Sequence, residues 1–121
     1  MTLRVLIVED EPNIADALSF LLSHEGFEVL VEPDGARALD RVAQTGPDVV
    51  VLDVMLPNRS GFDILRDLRA SGTAHLPVLM LTARGQRRDR STAEELGATR
   101  FMTKPFSNTE VVAAVRELAE P

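Results

Sequence analysis

The stretch Val49-Val50-Val51-Leu52-Asp53 decides the fold, because four consecutive apolar residues end there in a single acid. A run that is apolar at every position is typical of a strand that is covered on both faces of a parallel sheet. Four further apolar runs are separated from it by segments with helical spacing. These runs are Val5 to Val8, Val29 to Val31, Val78 to Leu81, and Phe101-Met102. Such alternation predicts an α/β fold, (βα)5, with one doubly wound five-stranded parallel sheet and helices on both faces.

Helix signals fill most of the segments between these runs. Pro12 suits a first helical turn, and apolar residues then repeat at helical spacing until Gly26, a residue typical of a helix end. The same pattern predicts a second helix that includes Ala36 and ends before Gly46, and a third that ends before Gly72. The last helix opens with the capping-box spacing Ser107 to Glu110. The fourth helix offers few core contacts, and we expect it to be the most loosely packed.

Length and composition predict one domain, residues 1–121, with 45% apolar residues to fill its core. The net charge of -6 argues against a nucleic-acid surface, because that affinity depends on clustered Lys and Arg. The sequence has no cysteine, which excludes disulfides and thiol chemistry and fits a reducing compartment. We see neither a secretion signal nor an apolar run of the roughly 20 residues that a membrane span needs. We therefore expect a cytoplasmic protein that contacts no membrane.

Polar side chains follow the predicted strands at the edge where parallel sheets bind their ligands. Glu9 and Asp10 follow the first strand, Asp53 the third, Thr82 the fourth and Lys104 the fifth. Each has an ordinary structural explanation, since acidic loops are often solvated, threonine is common in strands and lysine is common at surfaces. Asp53 is harder to explain in this way, because Asp is seldom buried without a partner. Their coincidence predicts a functional site.

Phosphoryl transfer would use this set of side chains. Clustered carboxylates repel one another by roughly 4 kcal/mol per pair at 4 Å and an effective dielectric of 20, so a cation is expected among them. Mg²⁺ is the natural candidate, because it prefers oxygen ligands and is often held by one or two carboxylates and phosphate oxygens. Asp53 can act as the nucleophile, while Lys104 and Thr82 can contact the oxygens of the transferred group.

The chain resembles the response regulator receiver family of two-component systems over essentially its whole length. The segments that carry the resemblance are Val8-Glu9-Asp10-Glu11, Leu52-Asp53-Val54-Met55-Leu56-Pro57, Gly61-Phe62, Leu81-Thr82-Ala83-Arg84, Leu96-Gly97-Ala98 and Lys104-Pro105-Phe106. The resemblance implies the flavodoxin-like strand order 2-1-3-4-5. It also implies a switch that accepts a phosphoryl group from a sensor histidine kinase or a phosphotransfer protein.

The same resemblance assigns roles to individual residues. Asp53 is the implied phosphoacceptor, Asp10, Asp53 and the backbone carbonyl of Met55 are direct Mg²⁺ ligands, and Glu9 acts through metal-bound water. Thr82 and Phe101 are the implied switch pair, which changes the surface formed by helix four, strand five and helix five. That surface would engage an output domain or a partner protein. Such a chain is not an enzyme in the usual sense, but a phosphoacceptor that promotes its own phosphorylation and dephosphorylation.

Further expectations concern the residues around the phosphoacceptor. The Lys104-Pro105 bond matches a cis peptide of the family. Met55 and Arg84 occupy the positions that flank an attacking water, and neither offers a carboxylate or amide to orient it, so we expect a long-lived phosphorylated state. Arg59 is more easily explained as a solvated loop residue than as a phosphate ligand. Arg100 and a basic fourth helix predict a monomer or a weak phosphorylation-dependent dimer.

Two alternative functions remain at this stage. An FMN-binding protein of flavodoxin type would share the architecture, but Glu9-Asp10-Glu11 would repel the FMN phosphate. A receiver-fold adaptor that works without phosphorylation would more often lack one of the acids, the threonine or the lysine. The sequence leaves open the cognate kinase, the signal, the output, and whether the chain stands alone or is the first part of a longer regulator.

Overall fold

Every apolar run that predicts a strand forms one in the computed structural model, which describes residues 2–82 and 87–120. The elements are β1 (Arg4–Val8), α1 (Pro12–His24), β2 (Glu28–Glu32), a 3₁₀ helix (Gly35–Arg37), α2 (Ala38–Thr45), β3 (Val49–Asp53), α3 (Gly61–Ala70), β4 (Val78–Thr82), α4 (Arg87–Leu96), β5 (Arg100–Thr103) and α5 (Asn108–Ala119). All strand pairs are parallel, in the order β2-β1-β3-β4-β5. The predicted fold class and strand order are confirmed.

Two cores on opposite faces of the sheet explain why the strands are apolar at every position. Successive side chains of a strand point to opposite faces. Val50 and Leu52 of β3 therefore pack in the core with α2 and α3, and Val49 and Val51 pack in the core with α1 and α5. All five residues of β3 are buried. The strand thus lies between two cores, and its last residue, Asp53, lies at the carboxyl edge of the sheet.

Most helix ends lie where the sequence predicts them. Gly46 follows α2 with φ +56°, a left-handed conformation that glycine adopts without steric cost. Ser60 and Ser107 cap α3 and α5 by accepting hydrogen bonds from the N–H groups of Asp63 and Glu110. No helix in the described ranges is long and apolar enough to cross a membrane.

The second helix begins differently from its prediction. The apolar spacing predicts a helix that includes Ala36, but residues Gly35–Arg37 form a 3₁₀ turn and α2 begins at Ala38. The Asp34 side chain accepts a hydrogen bond from the Ala36 N–H at 2.9 Å. Asp34 thus caps this turn, and the Arg37 N–H donates to the Asp34 carbonyl at 3.1 Å, which is the i to i+3 bond of a 3₁₀ helix.

Gly61 allows α3 to begin directly against the end of β3. Its N–H donates to the Val54 carbonyl at 2.9 Å. A Cβ at Gly61 would lie 2.2 Å from the Asp53 carbonyl oxygen and 2.9 Å from the Cα of Val54. Only glycine fits there, because both contacts are with backbone that cannot turn aside. The position of Asp53 therefore depends on Gly61.

We expect Gly61→Ala to lower the free energy of unfolding by about 3 kcal/mol, because the methyl group must displace the backbone of Asp53. Gly46→Ala is the matched control, since a Cβ there meets nothing within 4 Å and only the left-handed φ opposes it. That control should cost about 1 kcal/mol. Urea unfolding of both variants tests the contact. Equal losses would mean that the close approach to Asp53 does not constrain the strand end.

Candidate functional site

Three carboxylates meet at the carboxyl edge of the sheet. Glu9 and Asp10 follow β1, and Asp53 ends β3, which pairs with β1 through Val8 and Leu52. One oxygen from each acid lies within 4.8 Å of the others. Glu9 and Asp53 are buried, with 2% and 6% of their surface exposed, whereas Asp10 is exposed. The predicted cluster of acids is therefore present, and it is open to solvent on the Asp10 side.

Lys104 brings an ammonium group to these acids from the far side of β4. Its Nζ lies 2.8 Å from Oε1 of Glu9 and 3.5 Å from Oδ1 of Asp53. Its backbone N–H donates to the Thr82 carbonyl at 2.7 Å, and the Lys104-Pro105 bond is cis, as the resemblance implied. The structure thus brings together four of the predicted site residues, and the lysine bridges the two buried acids.

The electrostatics of Asp53 show that one ammonium does not neutralise the cluster. Burial of its carboxyl, followed by the adjoining Glu9 carboxyl, raises the pKa of Asp53 to about 7. Lys104 and the Met55 backbone N–H, which donates to the Asp53 carboxylate, act in the opposite direction but are weaker. Repulsion from Glu9 and loss of hydration therefore outweigh the attraction of Lys104, the cation that the described part of the chain places beside Asp53. The site therefore favours an additional positive charge.

The donor set fits a divalent cation that prefers oxygen. All three ligand groups are carboxylates, and no histidine of the described residues joins them. Hard oxygen donors of this kind suit Mg²⁺ and argue against a metal that prefers nitrogen or sulfur. Exposed Asp10 leaves room for water or a phosphate oxygen beside the carboxylates.

Thr82 and Phe101 lie on neighbouring strands beside the acids. Thr82 is the last residue of β4 and is fully buried. Phe101 of β5 is 8% exposed and belongs to the core beneath α3 and α4. The guanidinium of Arg90, on α4, lies 5.2 Å from the centre of the Phe101 ring. This cation–π contact links the implied switch residue Phe101 directly to α4.

The structure describes three of the four other side chains that the sequence singled out near the site. The Met55 side chain is 57% exposed. Arg59 forms an ion pair with Asp67 of α3, so it is neither a freely solvated loop residue nor directed at Asp53. Arg84 lies outside the described residues. The Arg100 guanidinium pairs with Glu117 of α5 at 2.9 Å.

The sequence analysis did not identify the buried acid Glu32. It ends β2 and is 4% exposed, but its carboxylate is paired with Arg41 at 3.5 Å and accepts the Asp34 N–H at 2.9 Å. The available signal was an acid at the end of an apolar run, and this signal is present at Glu32 as well as at Asp53. Glu32 differs because arginine already neutralises it, which gives it a structural role.

Comparison with known proteins gives consistent matches over nearly the whole chain. Residues 5–116 match the family model described as the response regulator receiver domain. Sensory transduction protein RegX3 of Mycolicibacterium smegmatis is 48% identical over 112 residues, which are 93% of this chain and 48% of that protein. The chain thus spans about half the length of the curated relatives that it matches.

Solved structures also match this chain over nearly its whole length. The BeF3-activated N-terminal receiver domain of RstA from Klebsiella pneumoniae is 30% identical with a TM-score of 0.92, and the match covers 98% of this chain and 99% of that one. Chemotaxis protein CheY4 of Vibrio cholerae is 28% identical with a TM-score of 0.90, and the match again covers 98% and 99% of the two chains.

The raised pKa of Asp53 predicts how stability depends on pH when divalent cations are absent. An unfolded Asp has a pKa of about 3.9, so folding favours the protonated carboxyl. The contribution of Asp53 to stability is then fully present below about pH 4 and is lost as the pH rises through about 7. We expect the parent to lose stability relative to Asp53→Asn over this window. Urea unfolding with a chelator measures the difference.

The exposed acid Asp40 of α2 provides the control for this measurement. Asp40→Asn removes a carboxyl outside the cluster, so this variant should keep the loss of stability that the parent shows as the pH rises to 7. A stability difference between the parent and Asp53→Asn that stays constant from pH 4 to 7 would contradict the proposed repulsion at Asp53.

Proposed function

The chain belongs to the response regulator receiver domains of two-component signalling systems, and we propose that Asp53 is the residue on which it accepts a phosphoryl group. One observation carries this proposal: Asp53 is a buried carboxylate beside two further acids, with an ammonium 3.5 Å from its Oδ1. A structural acid would have its charge satisfied, as Glu32 has. Asp53 retains the unsatisfied charge that a metal-assisted nucleophile needs.

Asp10, Asp53 and the backbone carbonyl of Met55 would hold Mg²⁺ directly in this proposal, and Glu9 would act through water. When bound, the ion would supply the positive charge that favours the ionised form of Asp53 and balances the oxygens of an incoming phosphoryl group. The three neighbouring carboxylates support this assignment. Asp10 supplies the exposed side of the site, from which a donor can approach.

The reaction proposed for Asp53 transfers one phosphoryl group. A carboxylate oxygen of Asp53 attacks phosphorus, a P–O bond forms, and the bond to the donor, the imidazole nitrogen of a kinase histidine or the acetate of acetyl phosphate, breaks. Lys104, fixed by Glu9 at 2.8 Å, is positioned to pair with a phosphoryl oxygen, and the Thr82 hydroxyl can donate to another. The chain is thus a phosphoacceptor that promotes its own modification and its later hydrolysis.

The switch would follow from the position of Thr82. If its hydroxyl moves toward a phosphoryl group on Asp53, Phe101 can repack into the space that it leaves. The cation–π contact between Phe101 and Arg90 would transmit that change to α4, and so to the surface formed by α4, β5 and α5. An output domain or partner protein would bind the altered surface.

The phosphoryl donor would be a sensor histidine kinase or a phosphotransfer protein in the cytoplasm, where ATP supplies such kinases. The pairing of Arg100 with Glu117 satisfies two charges on the α4-β5-α5 surface and supports a monomer or a weak dimer.

The residues that flank the phosphoacceptor would set how long the phosphorylated state lasts. Met55 and Arg84 would make that lifetime long, since neither side chain orients an attacking water.

Phosphorylation itself is tested by intact-mass measurement with acetyl phosphate. We expect one added phosphoryl group in the presence of Mg²⁺ and none with a chelator. Asp53→Ala should abolish the modification, and Asp10→Ala should slow it by tenfold or more, because one proposed metal ligand is lost, roughly the effect of 1.4 kcal/mol. Asp40→Ala, which removes an exposed acid outside the site, should leave the rate unchanged.

Labelling that persists in Asp53→Ala would move the acceptor to another residue. An unmodified parent would instead favour a receiver-fold adaptor that works without phosphorylation. Both outcomes are read from the same mass spectra.

The switch is tested by amide exchange in α4 with and without beryllofluoride, which mimics a bound phosphoryl group. Exchange should change in the parent and much less in Thr82→Ala or Phe101→Ala, while both variants still accept phosphate. Phe27→Ala is the matched control, because Phe27 is similarly buried and lies 5.2 Å from the guanidinium of Arg116, but on the opposite face. It should respond like the parent. A full response in Phe101→Ala would remove its role in the switch.

A further inference from the structure

The loop between β3 and α3 turns at an unusual residue. Asn58 has φ +67°, and it is the single non-glycine residue with a positive φ in the described ranges. The turn is closed by the Arg59 N–H, which donates to the Pro57 carbonyl at 2.7 Å. Asparagine tolerates this left-handed region better than most residues, but glycine has no steric cost there. The turn therefore accounts for a residue tolerant of positive φ, but not for an amide side chain.

The amide of Asn58 makes a contact that glycine could not make. Its Nδ2 donates to Oδ1 of Asp34 at 3.0 Å, and the same oxygen accepts the Ala36 N–H at 2.9 Å. Asp34 belongs to the loop after β2, and its own N–H donates to the buried carboxylate of Glu32 at 2.9 Å. Asn58 thus joins the loop after β3 to a hydrogen-bonded network at the end of β2.

The two loops also approach closely through their backbones. A Cβ at Gly35 would lie 2.8 Å from the Arg59 carbonyl oxygen. The hydrogen bond between Asn58 and Asp34 therefore lies beside a close backbone contact between the two loops. It adds a side-chain attachment to that backbone contact.

The position of this loop matters because its first residues contact the phosphoacceptor. The Met55 backbone N–H donates to the Asp53 carboxylate, and Gly61 at the other end lies against the Asp53 carbonyl. Arg59 ties the loop to α3 through Asp67. Asn58 supplies the opposing attachment, toward β2, so the loop is held from both sides.

We propose that Asn58, through its hydrogen bond to Asp34, is a positioning residue that holds the Met55 backbone at the metal site. The inference rests on the proposed function, in which the Met55 carbonyl is a ligand of Mg²⁺. Asn58 does not touch the ion or the phosphoryl group in this role. It fixes the loop that presents Met55, so its loss weakens the affinity for Mg²⁺.

Asn58→Gly tests the proposal, because glycine retains the positive φ and removes only the amide. Mg²⁺ titrations followed by NMR, through the amide signals of Asp10 and Met55, should give about threefold to tenfold weaker binding than in the parent, the range that one hydrogen bond spans. The metal-free melting temperature serves as a separate measure of stability. A residue with a structural role alone would change the melting temperature and leave the affinity for Mg²⁺ as it was.

Asp34→Ala supplies the second arm of a double-mutant cycle, because it removes the acceptor of the Asn58 amide. It also removes the acceptor of the Ala36 N–H, and the cycle subtracts that effect by measuring Asn58→Gly both in the parent and in the Asp34→Ala background. We expect Asn58→Gly to weaken Mg²⁺ binding in the parent and to leave it unchanged in the Asp34→Ala background.

The outcomes separate this inference from the proposed function. Parent-like affinity in Asn58→Gly overturns the inference, and so does an equal loss of affinity from Asn58→Gly in the parent and in the Asp34→Ala background, since the hydrogen bond to Asp34 would then not be the cause. A parent that gives no Mg²⁺-dependent shifts, or an Asp10→Ala variant that binds as the parent does, overturns the proposed metal site itself, and the inference with it.

Discussion

The carboxyl edge of the sheet depends on one electrostatic imbalance, in which three clustered carboxylates have one ammonium beside them within the described residues, paired with Glu9 and Asp53. At 4 Å and an effective dielectric of 20, each pair of like charges costs roughly 4 kcal/mol. The two central strands offset this cost, because β1 from Val5 onward and β3 up to Leu52 bury every apolar side chain almost completely. Each such side chain contributes about 1.5 to 3 kcal/mol, so a few of them outweigh one repulsive pair. The core can therefore hold charges together that would separate in an unfolded chain.

The backbone fixes these charges as firmly as the core does. The Glu9 N–H donates to the Glu32 carbonyl at 3.2 Å, and the Lys104 N–H donates to the Thr82 carbonyl at 2.7 Å. The glycine at position 61 holds the segment after Asp53 against the start of α3. Glu9, Lys104 and the segment after Asp53 are thus anchored through their main chains, which fixes where their side chains meet. Such preorganisation lets a site bind a cation or an anionic group without first ordering its own loops.

The sequence predicted the sheet well, because strands and helix ends depend on patterns that are local in the chain. It also put acids and a lysine at strand ends, which the parallel sheet brings to one edge. Continuous apolar runs marked the strands, and glycines such as Gly46 marked the helix ends. The 3₁₀ turn before α2 was missed, because its backbone bonds, from the Arg37 N–H to the Asp34 carbonyl and from the Ala38 N–H to the Gly35 carbonyl, leave the spacing of apolar residues unchanged. The bond between Asn58 and Asp34 joins residues 24 positions apart, and no local pattern indicates it. Contacts between loops depend on the finished fold.

Glu32 and Asp53 show why a pattern alone did not decide function. Each is a buried acid at the carboxyl end of a strand, and the sequence around them differs little in hydrophobicity. The Glu32 carboxylate has Arg41 at 3.5 Å and Arg37 at 3.9 Å, and two cations for one acid leave no charge to attract a ligand. Asp53 shares Lys104 with Glu9, and its pKa rises to about 7 as a result of burial and that neighbour. Chemical function at this edge therefore follows from the ratio of cations to acids that tertiary structure brings together, and among the described buried acids of the edge this ratio is lower for Asp53 and Glu9, which share one lysine, than for Glu32.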